Sequence, residues 1–224
     1  MPDFLRVETI FFTVLNYPMS YLEFFGVVTG AVAVWLSARA NVWSWPLSLV
    51  GIVLSFFLFF QVQLYPDTFL QVFFFITSLI GWWEWTHPAP QEADCKEELR
   101  ITYTPRLVLL LGGGGGAAAT VLLGALAQRL HQWLPLVFSK PSAFPYLDSF
   151  TTVLSIAATF LLMRKKVESW YVWLAADVVL TYVYFLKGIK FVGIEYAVFC
   201  LVAAYGAYHW TREYRGYANL PPAA

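Results

Sequence analysis

Two acidic residues stand inside sequence greasy enough for lipid. Asp177 closes the run W-Y-V-W-L-A-A-D that begins at Trp170, and Glu195 follows K-G-I-K at 187–190. An ionisable side chain in a membrane segment is costly, so by default it marks a substrate or ion path. For Asp177 the alternative is a structural hydrogen bond; for Glu195 it is an ion pair with Lys187 or Lys190. Wound as a helix, residues 167–186 bring Trp170, Trp173, Asp177, Thr181 and Tyr184 onto one face, because their spacings are three and four. That face offers aromatic plates and polar groups. The other faces are Val, Leu and Ala, suited to lipid or packing. Trp173 lies deeper than Trp170, which favours a site or gate role for it.

Other polar residues extend the set. Glu195 opens one face of the last apolar segment and Tyr196 a neighbouring one. Gln71, Ser78 and Trp82 share a face of an earlier segment, and Trp45, Ser48, Ile52 and Ser55 form a stripe like that of 170–184 with Ile52 where Asp177 stands. Catalysis has little support: there is no H-E-x-x-H, no G-x-S-x-G and no paired carboxylates at a fixed spacing. His87, His131 and His209 are scattered and read as interfacial residues. Cys95 and Cys200 lie in a polar loop and an apolar segment, which disfavours a disulfide. No cofactor or metal is implied.

The elements that position these residues are membrane helices. Of 224 residues, 59% are hydrophobic and 12% charged, and the mean hydropathy is +0.62. Soluble domains carry about 25% charge. Net charge is zero, so nothing argues for a nucleic-acid partner; the partner is the bilayer. Apolar runs at 21–40, 43–63, 68–85, 107–127, 147–163, 167–186 and 191–210 approach or exceed the roughly 18 residues a span needs. The fold class is all-α, a polytopic membrane protein with seven transmembrane helices. Tyr65-Pro66-Asp67 reads as a turn, 88–106 as a polar loop and 128–145 as an amphipathic link. Residues 1–20 form an N-terminal segment, either an amphipathic helix lying on the membrane or a frayed terminus. Gly112–Gly116 would cost a helix in water roughly 1 kcal/mol each. In lipid the backbone must still bond internally, so a packed helix is expected. Ala117 follows where a P-loop needs lysine. Trp85 and Trp210, at segment ends, read as interfacial belt residues.

The chain repeats itself at an offset of 125. Tyr21-Leu22-Glu23 falls on Tyr146-Leu147-Asp148, Arg39 on Arg164, Ser44-Trp45 on Ser169-Trp170, Gly81 on Gly206 and Trp85 on Trp210. Repeat 1 covers 21–87 and repeat 2 covers 146–211, with a linking helix at 105–135, all in one transmembrane domain. Three spans per repeat and one span between them make the repeats parallel, a 3+1+3 order. Nine lysines and arginines fall on one side and five on the other, which places the N-terminus outside and the C-terminus in the cytoplasm. The G-V-V-T-G spacing at 26–30 lets helices approach closely and permits a homo-oligomer.

Three pieces of repeat 1 and three of repeat 2 resemble the PnuC family of nicotinamide riboside transporters. They are N-x-W-x-W-P-L-S-L-V-G-I at 41–52, L-Y-P-D-T-F-L-Q at 64–71, G-W-W-E-W at 81–85, then W-Y-V-W-L-A-A-D, L-K-G-I-K and E-Y-A-V-F. The resemblance covers residues 20–211 and leaves out the glycine run. It implies a SWEET-like architecture in the inner membrane and entry of nicotinamide riboside by facilitated diffusion, with trapping by phosphorylation in the cytoplasm. Relatives that carry riboflavin or thiamine leave the substrate open, as do two other readings, a sugar carrier and a membrane enzyme or accessory subunit. For a pyridinium riboside the expected site lies near mid-membrane between the repeats. Trp173 and Trp170 would stack on the ring. Asp177 would accept ribose hydroxyls or balance the ring charge. Gln71 and Gln61 would meet the amide or ribose, and Tyr196, Tyr182 and Trp45 complete the candidate set.

Overall fold

The computed structural model describes residues 6–14, 17–61, 65–94, 96–133, 144–186 and 190–217. A short ribbon, β1 (Ile10–Val14) and β2 (Tyr17–Ser20), precedes seven helices: α1 (Tyr21–Ala38), α2 (Ser44–Gln61), α3 (Tyr65–Thr86), α4 (Arg106–Trp133), α5 (Pro145–Met163), α6 (Glu168–Leu186) and α7 (Lys190–Tyr217). Among the described residues the chain falls into two compact units. One runs to Arg100 and includes Arg215–Tyr217; the other is Ile101–Tyr214. The first holds the helical triplet α1–α3. The second holds α4, α5, α6 and most of α7.

Among its described residues, 6–14 and 17–20, the N-terminal segment forms a ribbon and not an amphipathic helix. β1 and β2 pair antiparallel, with Ile10 opposite Ser20 and Val14 opposite Tyr17. I-F-F-T-V is aromatic and β-branched, which favours a strand, and Pro18 is tolerated in a ribbon with free edges. The Phe11 ring lies 4.5–5.9 Å from the rings of Tyr21, Phe24 and Phe25 on α1. The Val7 N–H donates to Gln61 Oε1 at the end of α2, at 3.0 Å. Ser20 then caps α1 by accepting the Glu23 N–H at 3.2 Å.

The 125-residue repeat is visible bond by bond. α1 ends as Ala40 turns left-handed (φ 52°), and α5 ends as Lys165 does the same (φ 50°). The Asn41 N–H reaches back to Leu36 O and the Ala40 N–H to Ser37 O; in repeat 2 the Lys166 N–H reaches Leu161 O and the Lys165 N–H reaches Leu162 O. Each pair is a Schellman stop, which satisfies helix-end carbonyls that would otherwise be orphaned. In repeat 1, α1 packs on α2 and α2 on α3. Gly51 makes the first crossing close: a Cβ there would lie 3.0 Å from Thr29 Oγ1 and 3.4 Å from Gly30 N. The small-residue spacing at 26–30 thus serves packing within the repeat.

Four further readings change. Tyr65-Pro66-Asp67 opens α3 instead of making a turn; proline is tolerated there because first-turn N–H groups have no helical partner. α4 passes through the five glycines unbroken, yet the run is not packed. A Cβ at Gly112–Gly115 would meet open space, and only Gly116 faces α5, at Val153. Trp85 and Trp210 are not belt residues, since both are fully buried. Trp43, 72% exposed, fits the belt far better. The link expected at 128–145 continues α4 as far as Trp133; 134–143 lie outside the described residues, as do Cys95, Lys140, Lys187 and the side chains of His131 and Tyr184.

Candidate functional site

In repeat 2 the polar stripe lies on α6. Asp177 is 5% exposed and has no hydrogen-bond or ion-pair partner among the described residues. The Cys200 thiol of α7 lies beside Thr181 and within electrostatic reach of Asp177. Thr181 Oγ1 is buried without a well-formed hydrogen bond. A carboxyl, a hydroxyl and a thiol therefore lie near one another where α6 faces α7. Unpaired polar atoms in a buried place cost free energy, and such a cluster is suited to receive an incoming ligand's hydroxyl or cationic groups. Trp173 is half-buried, on the same helix one turn before Asp177. Tyr196 is half-buried and meets Phe199 edge-on. Tyr182 is 63% exposed.

The matching positions of repeat 1 lie between α2 and α3. A cavity of about 260 Å³ there is lined by Ile52, Val53, Phe56, Phe57, Gln71, Val72 and Phe75. At the 125 offset, Ile52, Phe56, Gln71 and Phe75 correspond to Asp177, Thr181, Tyr196 and Cys200. Equivalent positions thus line a cavity in repeat 1, aromatic with a single amide, and carry an acid, a hydroxyl, a phenol and a thiol in repeat 2. The sequence places Thr181 on the stripe without making it a contact, and Cys200 there is only a cysteine in an apolar segment. Carrying the repeat from Gln71 to its cavity neighbours Phe56 and Phe75 would have pointed to both.

Three expected contacts have other work. The Trp170 ring lies over Gly206, where a Cβ would overlap it, and meets Trp210 edge-on at 5.5 Å. Trp45 does the same over Gly81, with Trp85 edge-on at 5.3 Å. Trp170 is 2% exposed and Trp45 4%, so both indoles are wedges that lock the second and third helices of their own repeats. Gln61 accepts from Val7 and donates to Phe57 O at 3.0 Å, which engages its amide oxygen with the N-terminal segment and its amide nitrogen with its own helix.

Long apolar helices in two like triplets, one of which holds a buried carboxyl without a partner among the described residues, define a polytopic membrane transporter. Residues 20–212 match the sequence model of the nicotinamide mononucleotide transporter family. The chain belongs to that family. It is 28% identical to the nicotinamide riboside transporter PnuC of Escherichia coli (strain K12), over 95% of this chain and 96% of that one. It is 26% identical to the riboflavin/roseoflavin transporter RibM of Streptomyces davaonensis, over 89% and 88%. The crystal structure of the vitamin B3 transporter PnuC matches 88% of this chain and 83% of that one, with a TM-score of 0.65 and 20% identity. That likeness bears on the fold, a seven-helix membrane protein with two three-helix repeats joined by a linking helix.

Proposed function

We propose that this protein carries nicotinamide riboside across the bacterial inner membrane by facilitated diffusion, and that phosphorylation in the cytoplasm traps the product. The observation that carries the reading is Asp177, a buried carboxyl without a partner on an aromatic-rich helix. The substrate brings a cationic ring and ribose hydroxyls. Trp173 stacks on the ring, and Asp177 with Thr181 takes hydroxyls or balances charge; the Gln71 amide, set among phenylalanines in repeat 1, is a separate candidate contact for a carboxamide or ribose. Tyr196 is a lesser contact. Trp170, Trp45 and Gln61 act through packing, and Tyr182 stands outside the set. Carriage needs no catalytic group, and none is assigned. Dedicated cation coupling would call for a cage of oxygen ligands, and two scattered deep carboxylates do not make one. The N-terminus lies outside and the C-terminus in the cytoplasm, from the nine-to-five bias of basic residues.

Purified protein in liposomes should equilibrate labelled nicotinamide riboside without ATP, and collapsing proton or sodium gradients should leave the flux unchanged. Uphill accumulation driven by either gradient refutes uniport. A second reading, a flavin carrier, rests on the 26% identity to RibM. It predicts that riboflavin, and not nicotinamide riboside, competes for uptake.

A further inference from the structure

Residues 101–104 leave the connector before α4 and bind the start of α6. The Thr102 N–H donates to Lys165 O at 3.1 Å, and the Val167 N–H donates to Thr102 O at 3.1 Å. Lys166 Nζ adds a bond to Thr102 Oγ1 at 2.7 Å. Thr104 donates twice to one carboxylate, from its N–H to Glu168 Oε1 at 2.9 Å and from Oγ1 to Glu168 Oε2 at 3.2 Å. Between them, Tyr103 meets Tyr214 of α7 edge-on at 4.8 Å, and its hydroxyl lies 3.2 Å from Thr211 Oγ1. Ile101 is buried beneath. Four consecutive residues thus fasten the α5–α6 turn, the first residue of α6 and the last turns of α7.

Repeat 1 has no counterpart among the described residues. Lys165, Lys166 and Glu168 correspond to Ala40, Asn41 and Trp43. There the turn holds itself, with the Trp43 N–H donating to Asn41 Oδ1 at 2.9 Å. The fastened helix is α6, which carries Trp173 and Asp177; the unfastened one is α2, which carries Ile52 in place of the acid. Chemical asymmetry and mechanical asymmetry fall in the same repeat.

We propose that residues 101–104 are a strap that sets the position of α6 for substrate and stays closed throughout the transport cycle, with Glu168 as a positioning residue for Trp173 and Asp177. The inference rests on the reading of α6 as the substrate helix. A helix fixed at its first residue has little freedom to slide or rotate nine residues on, so the strap preorganises the contacts. Coupling of this kind changes affinity by roughly three- to thirtyfold.

The test uses the full chain. Glu168→Gln and Thr104→Val should each weaken nicotinamide riboside binding by that factor in calorimetric titration, with the far-ultraviolet circular dichroism of the parent. Thr102 and Lys166 are bridge partners, close enough for a disulfide. In a Glu168→Gln, Thr102→Cys, Lys166→Cys protein, oxidation should restore the parent's affinity to within about twofold and leave uptake running; reductant should reverse the rescue. The oxidised parent, with its native cysteines, serves as control. Uptake that stops on oxidation and resumes on reduction means the strap must open, which overturns the proposal. Parent-like binding by both single variants also overturns it. Failure of the α6 reading shows separately, as unaltered binding by Trp173→Ala and Asp177→Asn, and removes the positioning role with it.

Discussion

Replacing Asp177 with leucine should improve the fold and damage the function. The carboxyl is 5% exposed and lacks a hydrogen-bond or ion-pair partner among the described residues. A buried polar group left unsatisfied costs about 1–3 kcal/mol. The equivalent position in repeat 1 holds Ile52, so an apolar side chain has a precedent at this place in the repeat. Taking about 2 kcal/mol as the relief, and roughly 2–4 °C per kcal/mol for a chain of this size, the ligand-free Tm should rise by roughly 4–8 °C. Binding moves the other way. A charge-assisted hydrogen bond contributes roughly 1.5–3 kcal/mol, so its loss should weaken nicotinamide riboside binding by roughly ten- to a hundredfold. Asp177→Asn keeps the shape and one acceptor, and should lose about tenfold. The assay is differential scanning fluorimetry in detergent with and without substrate, paired with calorimetric titration. The opposite signs are the diagnostic, because a structural carboxyl would lose stability on replacement. If Asp177→Leu melts below the parent and substrate still raises its Tm as in the parent, the carboxyl holds the helices together and the site reasoning fails.

Other outcomes follow from the same geometry. Trp173→Ala should bind nicotinamide riboside roughly two- to thirtyfold more weakly and Trp173→Phe less so, since a cation–π contact is worth about 0.5–2 kcal/mol; titration of both variants checks it. Gly206→Ala and Gly81→Ala each push a methyl into an indole and should destabilise by about 1–3 kcal/mol, read as a fall in Tm with substrate affinity of the surviving folded fraction unchanged. Gln61→Ala frees the Val7 N–H and should speed hydrogen exchange in residues 7–14 while leaving uptake near the parent rate. Tyr17 donates its hydroxyl to Glu23 Oε1 at 2.7 Å; that bond, then burial, then the carboxylate's charge push its pKa up to about 12. The neutral phenol is the favoured form, so the contact holds below pH 10 and is lost as pH rises toward 12. The absorbance difference at 295 nm between parent and Tyr17→Phe should titrate near 12, and a midpoint near 10 would refute the bond.

The sequence by itself determined the class, the helix count and the repeat, and it singled out the polar face of α6. Lipid makes these legible, because it demands long apolar runs with internally bonded backbones and leaves every polar residue inside them conspicuous. The 125 offset even contained the packing: Trp45 with Gly81 and Trp170 with Gly206 are a large residue and a small one made for each other. What the linear order could not show is which residues meet. Trp85 and Trp210 sit at segment ends, where tryptophan ordinarily lies in the interface, and only their contacts with Trp45 and Trp170 reveal them as buried. Gln61 has the chemistry of a ligand contact until Val7, 54 residues away, occupies it. Cys200 is an apolar-segment cysteine until α7 turns it toward Thr181 and Asp177. The ribbon and the 101–104 fastening are built from short segments that carry no period, and their partners lie up to 108 residues away. Periodicity reports which face of an element is special; the choice of partner for that face is made by tertiary packing, where neighbours are set by shape and unsatisfied hydrogen bonds and not by position in the chain.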